Sequence, residues 1–329
     1  MKTVAGGVLT RILASCGLGL ALAGAALAAD DYPSRPTRIV VPYPPGGFND
    51  TLARTVGDRL AKAWKQPVVV DNRPGGNTVL GNNLAAKAAA DGYTILITPL
   101  PFSALPALYG SKLPYNALKD FQPLVWAGST QNVLVVRNEL GISSVRELID
   151  HAKKNPGKLN FGSTGSGSSN HLSMELFMAM TGTRLTHVPY KGSAPAVMAM
   201  LAGEIDVLFD NVPNVMQQIK AGKLKAVAVT GTKRAQLLPD VPTVAESGVP
   251  GYDVTVWFGM QMPAGVPKAV VDRANRDIVQ ILKDPEVAKL FRDQGVEVEA
   301  STPEAFGELL NREIPKWTKV VNDAGVRIE

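Results

Sequence analysis

Residues 41–51 read VPYPPGGFNDT. An apolar run ends there, Pro44, Pro45, Gly46 and Gly47 follow, and Asn49 and Asp50 open a polar segment. The stretch is stiff and poor in side chains. It lies between a strand pattern, TRIVVPY, and a helix pattern that runs to about Trp64. Glycine lets a partner approach the backbone closely. A helix start presents unpaired N–H groups and a partial positive charge. Locally, the stretch fits an ordinary turn and an anion-holding loop equally well.

Outward from this point the chain repeats the same alternation. PVVVDN, YTILIT, NVLVVR, LNFGS, LTHVPY, IDVLFD and LKAVAVTG read as strands. Helical patterns of ten to fifteen residues separate many of them, as in SSVRELIDHAKK and HLSMELFMAMTG. Such alternation implies βαβ units and parallel sheets covered on both faces. After Val254 the pattern changes to three helical stretches, near 267–282, 284–293 and 302–323. The expected fold class is α/β in two lobes. The chain crosses between them near 128–131 and 230–236, giving lobe 1 as 29–128 plus 237–329 and lobe 2 as 129–236.

Residues 1–28 have the form of a signal peptide. Lys2 and Arg11 precede an apolar run, and Ala26-Leu27-Ala28 is a small-x-small cleavage signal. Cleavage near Ala28 would remove the single cysteine, Cys16, and lower the net charge from +5 to +3. Leu13-Ala14-Ser15-Cys16 also has the form of a lipidation box. Only four residues separate Arg11 from Cys16, however, fewer than an apolar region needs. The expected destination is outside the cytoplasm, as an exported protein. No block of Lys/Arg offers a nucleic-acid surface.

The segment FGSTGSGSSNHLSMEL, from Phe161, is a second glycine-rich turn from strand to helix. Ser168 stands where a phosphate-binding loop needs lysine, and Asn170 stands where a dinucleotide loop needs its third glycine. No serine has the glycine spacing of a nucleophile elbow. His151, His171 and His187 lack the spacing of a zinc pair. No catalytic residue, cofactor or metal is expected. One enzyme alternative stays open, a secreted α/β hydrolase using Ser163 or Ser168 with His171. It lacks an identifiable orienting acid and oxyanion hole.

Binding remains. Two glycine-rich turns, each leading from a strand end into a helix start, can hold an anion without Arg or Lys. In open α/β sheets, ligands settle outside the carboxyl ends of the strands.

The sequence also resembles a known family, the periplasmic solute receptors of tripartite tricarboxylate transporters, or Bug proteins. The resemblance runs from about Tyr32 onward through YPSRPTRIVVPYPPGG, VVVDNRPGGNTVLG, AADGYTIL, LPYNALKDFQP, HVPYKG, DVPTVAESGVPGYD and PAGVPKAV. It implies a two-lobed periplasmic binding protein fold, type II-like, of the Venus flytrap kind with a hinged cleft. It implies capture of a small carboxylate, a di- or tricarboxylate or an aromatic acid, by a monomer that delivers it to membrane permease subunits. A receptor that signals instead would have the same loops. The positions implied as ligand-binding are Tyr43, Gly47, Phe48, Asn49 and Asp50 in the first loop. In the second they are Ser163, Thr164, Gly165, Ser168, Asn170 and His171. Asp210 matches a third cleft-facing position, where it binds an amino group or water, or orients a loop. Phe48 departs from the small residues usual in the family. It either covers an aromatic or long apolar ligand or packs against the opposite lobe.

Overall fold

A computed structural model of the chain describes residues 32–326. The expected cleavage site, the whole 1–28 segment and Cys16 lie outside the described residues.

The strands, in chain order, are β1 (Thr37–Val41), β2 (Val68–Asn72), β3 (Thr94–Pro99), β4 (Phe121–Arg137), β5 (Asn160–Ser163), β6 (Thr186–Pro189), β7 (Val207–Asn211), β8 (Leu224–Val229), β9 (Thr255–Pro263) and β10 (Glu297–Val298). The helices are α1 (Phe48–Trp64), α2 (Val79–Ala86), α3 (Leu105–Tyr109), α4 (Val145–Lys154), α5 (Ser169–Thr181), α6 (Ser193–Leu201), α7 (Val212–Lys220), α8 (Lys268–Lys283), α9 (Pro285–Asp293) and α10 (Pro303–Ala324). No helix among the described residues is long and apolar enough to cross a membrane.

The sheet order is β2-β1-β3-β9-β4-β7-β5-β6, with β8 and β10 also paired to β4. Two α/β lobes share this sheet, each with its own parallel βα repeats. In one, β1 pairs in parallel with β2 and β3. In the other, β5 pairs in parallel with β6 and β7.

The sheet is mixed rather than parallel throughout. β9 runs antiparallel to β3 and β4, and β4 runs antiparallel to β7 and β8. The reason lies in β4, a single strand of 17 residues of which only NVLVVR stands out as an apolar run. It pairs with β9 as far as Gln131 and with β7 from Asn132 onward. β9, which the sequence reading missed, is buried through Val256–Pro263, with Phe306 edge-on against its Trp257.

The return crossing is pinned by Thr230. Its N–H donates to Asn132 O at 2.9 Å, and its hydroxyl accepts from Asn132 N at 3.0 Å. The same hydroxyl donates to Val254 O at 2.7 Å. Beyond residue 236 the chain stays against β8: Val229 N donates to Pro242 O and Val244 N donates to Val229 O, both at 2.9 Å. These bonds tie a segment expected in lobe 1 to the β8 half of the sheet.

Candidate functional site

The first loop is fixed from behind. Asp50 accepts from Gly46 N at 3.1 Å, from Arg54 Nε at 2.9 Å and from Asn72 Nδ2 at 3.0 Å. Hydrogen bonding to Arg54 holds this carboxylate below its ordinary range. Asn72, at the end of β2, also donates to Tyr43 O at 3.1 Å. The loop that follows Tyr43 is thereby tied at both ends. Gly47 caps α1 with no side chain of its own. The Phe48 and Asn49 N–H groups are left without an intrahelical acceptor.

The second loop is held by two histidines. Gly165 N donates to Ser163 Oγ at 3.1 Å, and Ser163 Oγ lies 2.7 Å from His187 Nε2. Because the Ser163 oxygen already accepts, its proton is best placed on His187, which fixes that ring's tautomer. Gly167 N donates to His171 Nδ1 at 3.0 Å, which leaves Nε2 to donate to Glu175 Oε1 at 3.2 Å. The two imidazoles stack with centroids 3.9 Å apart. Burial, with the neighbouring His171 second, pushes the His187 pKa down to about 3. Its ring is therefore neutral.

A third device joins the later helices. Asp210 is buried and accepts from Asn170 Nδ2 at 3.1 Å, Asn211 N at 2.7 Å and Asn214 Nδ2 at 3.0 Å. Its other oxygen accepts from Ser193 Oγ. Burial raises the Asp210 pKa, and the Ser193 hydrogen bond leads the opposing contributions. One carboxylate thus ties together the starts of α5, α6 and α7.

These three devices face one cleft of about 570 Å³. The helix starts at Gly47, Ser168, Ser193 and Asn211 all line it. In α1, α6 and α7 no side chain caps the free amides. The start of α5 is capped by Ser168; of the helices that start elsewhere, α4, α9 and α10 are capped by Ser144, Asp284 and Thr302, whereas α2, α3 and α8 have no side-chain cap. Among the described residues no Lys, Arg or His lines the cleft. Asn49 Oδ1, Asn77 Nδ2 and Asn211 Oδ1 are buried side-chain atoms of its lining with no hydrogen-bond partner. The part of the wall beside Phe48 is apolar, with Pro99, Pro101, Val256 and Phe258.

Nine of the twelve expected positions line this cleft: Tyr43, Gly47, Phe48, Asn49, Thr164, Gly165, Ser168, Asn170 and Asp210. Asp50, Ser163 and His171 do not; they are buried behind the loops, as described above. Phe48 packs on Phe258 at 4.5 Å and Phe291 at 5.1 Å between centroids, while lining the cleft. The hydrolase pairing is not formed. Ser163 meets His187, and the ring of His171 lies between Gly167 and Glu175. No cluster of three metal-ligating side chains occurs among the described residues.

Sequence reasoning missed Asn77, Ser193, Asn211 and Phe258. The first two carried a usable signal, since Gly75-Gly76-Asn77 and Gly192-Ser193 repeat the glycine-before-helix pattern of the first loop.

A two-lobed α/β fold with helix starts gathered on an interlobe cleft defines a solute-binding receptor of the periplasmic type. Residues 52–326 match the family model "Tripartite tricarboxylate transporter family receptor", TctC, and the chain belongs to that family. BugT of Bordetella pertussis is 37% identical over 327 residues, covering 98% of this chain and 99% of its own. Solved structures agree. The periplasmic binding protein BugD superposes with a TM-score of 0.77 at 35% identity, over 90% of this chain and 100% of its own. An R. palustris protein solved with adipate gives 0.80 at 35% identity, over 91% and 100%. MatC of Rhodopseudomonas palustris, with bound malate, gives 0.77 at 30% identity, over 88% and 100%.

Proposed function

We propose that this chain captures a small carboxylate in its interlobe cleft and hands it to the permease of a tripartite tricarboxylate transporter. The observation that carries this reading is the convergence of uncapped helix starts on a cleft without a cationic side chain. Such amides bind anions by their dipoles and N–H groups. The adipate and malate of the two related structures are both dicarboxylates. The nine lining positions contact the ligand, while Asp50, Ser163 and His171 position the loops. Asn77, Ser193 and Asn211 join the contacts. The chain binds and releases its ligand unchanged, as a monomer with one cleft.

The lobes in this reading are residues 32–131 with 255–326, and residues 132–254. The mature chain starts near Ala29 and is free in the periplasm. Mass spectrometry of exported protein checks this; a diacylglyceryl group on Cys16 would instead make it a lipid-anchored receptor.

A thermal-shift screen over mono-, di- and tricarboxylates tests the binding, because a ligand of the folded state alone raises the melting temperature. The hit is then measured by calorimetry and by uptake in cells with and without the receptor. Uptake that does not depend on the receptor would remove the transport role.

A further inference from the structure

A second cavity, of about 510 Å³, lies beside the crossings. Its walls come from β4 around residues 129–131, from the return segment 231–237 and from residues 292–299 at the end of α9 and in β10. It shares only Thr130 and Val296 with the ligand cleft. Gly295 marks the border: a Cβ there would lie 2.4 Å from Pro213, which lines the cleft, and 3.3 Å from Leu237, which lines the cavity. The floor is apolar. Trp126 is half-buried and its Nε1 donates to Gly128 O at 3.0 Å, so it offers the cavity a ring surface rather than a donor. Leu237 beside it is 42% exposed. The rim carries both charges. Arg234 is spent on Glu246 at 3.0 Å, and Glu299 Oε1 accepts from Ser129 Oγ at 2.7 Å. The Lys233 ammonium, the Arg292 guanidinium, the Glu297 carboxylate and the second Glu299 oxygen have no partner among the described residues.

We propose that this cavity is a second binding site, separate from the cleft, for a small zwitterion with an apolar body, of the free amino acid class. Charges of both signs line one space without neutralising each other, so a ligand of a single sign meets like charges as well as opposite ones. A zwitterion satisfies both. Its carboxylate meets Lys233 and Arg292, and its ammonium meets Glu297 and Glu299. Its body lies on the Trp126 ring and Leu237, where an aromatic side chain adds a ring contact. The volume lies within the roughly 300–1,000 Å³ usual for small-molecule sites, and a position between lobes is where such sites commonly form. This inference does not rest on the identity of the cleft ligand.

The test is calorimetry of the mature protein with L-phenylalanine, 3-phenylpropionate and 2-phenylethylamine. The last two share the aromatic body and keep only the carboxylate or only the ammonium. Phenylalanine should bind at least about 10-fold more tightly than either, the loss of one charge-assisted hydrogen bond. Lys233→Glu combined with Arg292→Glu changes two exposed side chains and reverses the cationic side of the rim. It should lower phenylalanine affinity at least about 10-fold. Gly47→Asp, which alters the cleft, should leave phenylalanine affinity unchanged. Phenylalanine that binds no more tightly than a single-charge analogue, or does not bind, would overturn the inference. Affinity lost in Gly47→Asp and kept in the double variant would also overturn it, because phenylalanine would then be a ligand of the cleft. The wild-type comparison of the three compounds decides even where the double variant fails to fold.

Discussion

Protonating His187 would cost the second loop its anchor, because a charged imidazole cannot accept the Ser163 proton. The folded pKa lies near 3, well below the ordinary 6.5. Between these values the unfolded chain binds a proton that the folded chain refuses, so stability rises with pH across that window and falls as the solution is acidified. Above 6.5 the contribution is complete. His187→Gln removes the titrating group and keeps an acceptor for Ser163. Melting temperature followed from pH 7 to pH 4 should therefore fall less steeply in the variant than in the wild type. Equal slopes would show that carboxylate titration dominates and that the histidine stack is inert. At Gly165 the constraint is torsional. Its φ is +129°, and an added Cβ would have room, with Tyr190 O nearest at 3.8 Å. Gly165→Val therefore tests backbone strain with little clash. It should lower the melting temperature by a few degrees, in line with about 1–2 kcal/mol of strain, and weaken carboxylate binding as the loop shifts. An unchanged melting temperature with unchanged affinity would show that this torsion is not needed.

At the scale of the helix, α1 sets stability against binding. Its cap position, Gly47, has φ −89° and ψ 174°, an extended conformation that any residue adopts. Nothing lies within 4 Å of a Cβ placed there. Aspartate at this position would accept from the first-turn amides and put a negative charge at the helix start. The change from Gly to a preferred cap is worth only a few tenths of a kcal/mol, so Gly47→Asp should fold as well as the wild type or slightly better. The same carboxylate would occupy the place of the ligand's charged end, and affinity should drop at least about 10-fold, the loss of one charged hydrogen bond. Circular dichroism and calorimetry on one sample compare the two effects. Unchanged affinity would remove α1 from the binding site. This element was legible in the sequence because its signals are local: two glycines directly precede seventeen residues of apolar periodicity. The contributions of Asn211 and Asn214 were not. They reach the cleft through Asp210, whose partners stand in three different helix starts, and no local pattern announces that they converge.

For the whole molecule, the decisive long-range feature is β4, which was half legible. Its second half is a continuous apolar run. Its first half mixes Gln122, Pro123, Trp126 and Ser129 with apolar residues, because one face packs under α8 and α10 while the edge with β9 carries two register shifts. β9 was hidden for a related reason, since its central position beside β3 and β4 is set by residues more than a hundred positions away in sequence. In the proposed lobe division these two strands make the crossings, at Gln131–Asn132 and at Val254–Thr255; Thr230 bonds to Asn132 and to Val254. Thr230→Val keeps the shape but strands the Asn132 N–H and reduces the bonding of Val254 O in a fully buried place. A cost of about 1–3 kcal/mol follows, seen as a melting temperature lower by several degrees.

Closure is the motion this arrangement permits. The binding loops sit on both sides of the crossings, residues 43–49 on one and 164–170 on the other; the chain passes between the sides in β4 and before β9, and α10 packs on α5. Hinges of this kind absorb the change in a few connecting residues. A ligand that touches both loops has more contacts in the closed form, so it shifts the population towards that form by its differential affinity. Gly167 already comes close to the facing lobe: a Cβ there would lie 2.8 Å from Leu108 Cδ1 and 3.0 Å from Asn77 Nδ2. Gly167→Ala should therefore oppose the final approach of the lobes, and its φ of +78° adds strain to any side chain. Small-angle scattering at saturating carboxylate should show a smaller radius of gyration than the free wild-type protein, and a smaller contraction in Gly167→Ala. Binding with no contraction in the wild type would mean that the cleft receives its ligand without moving the lobes.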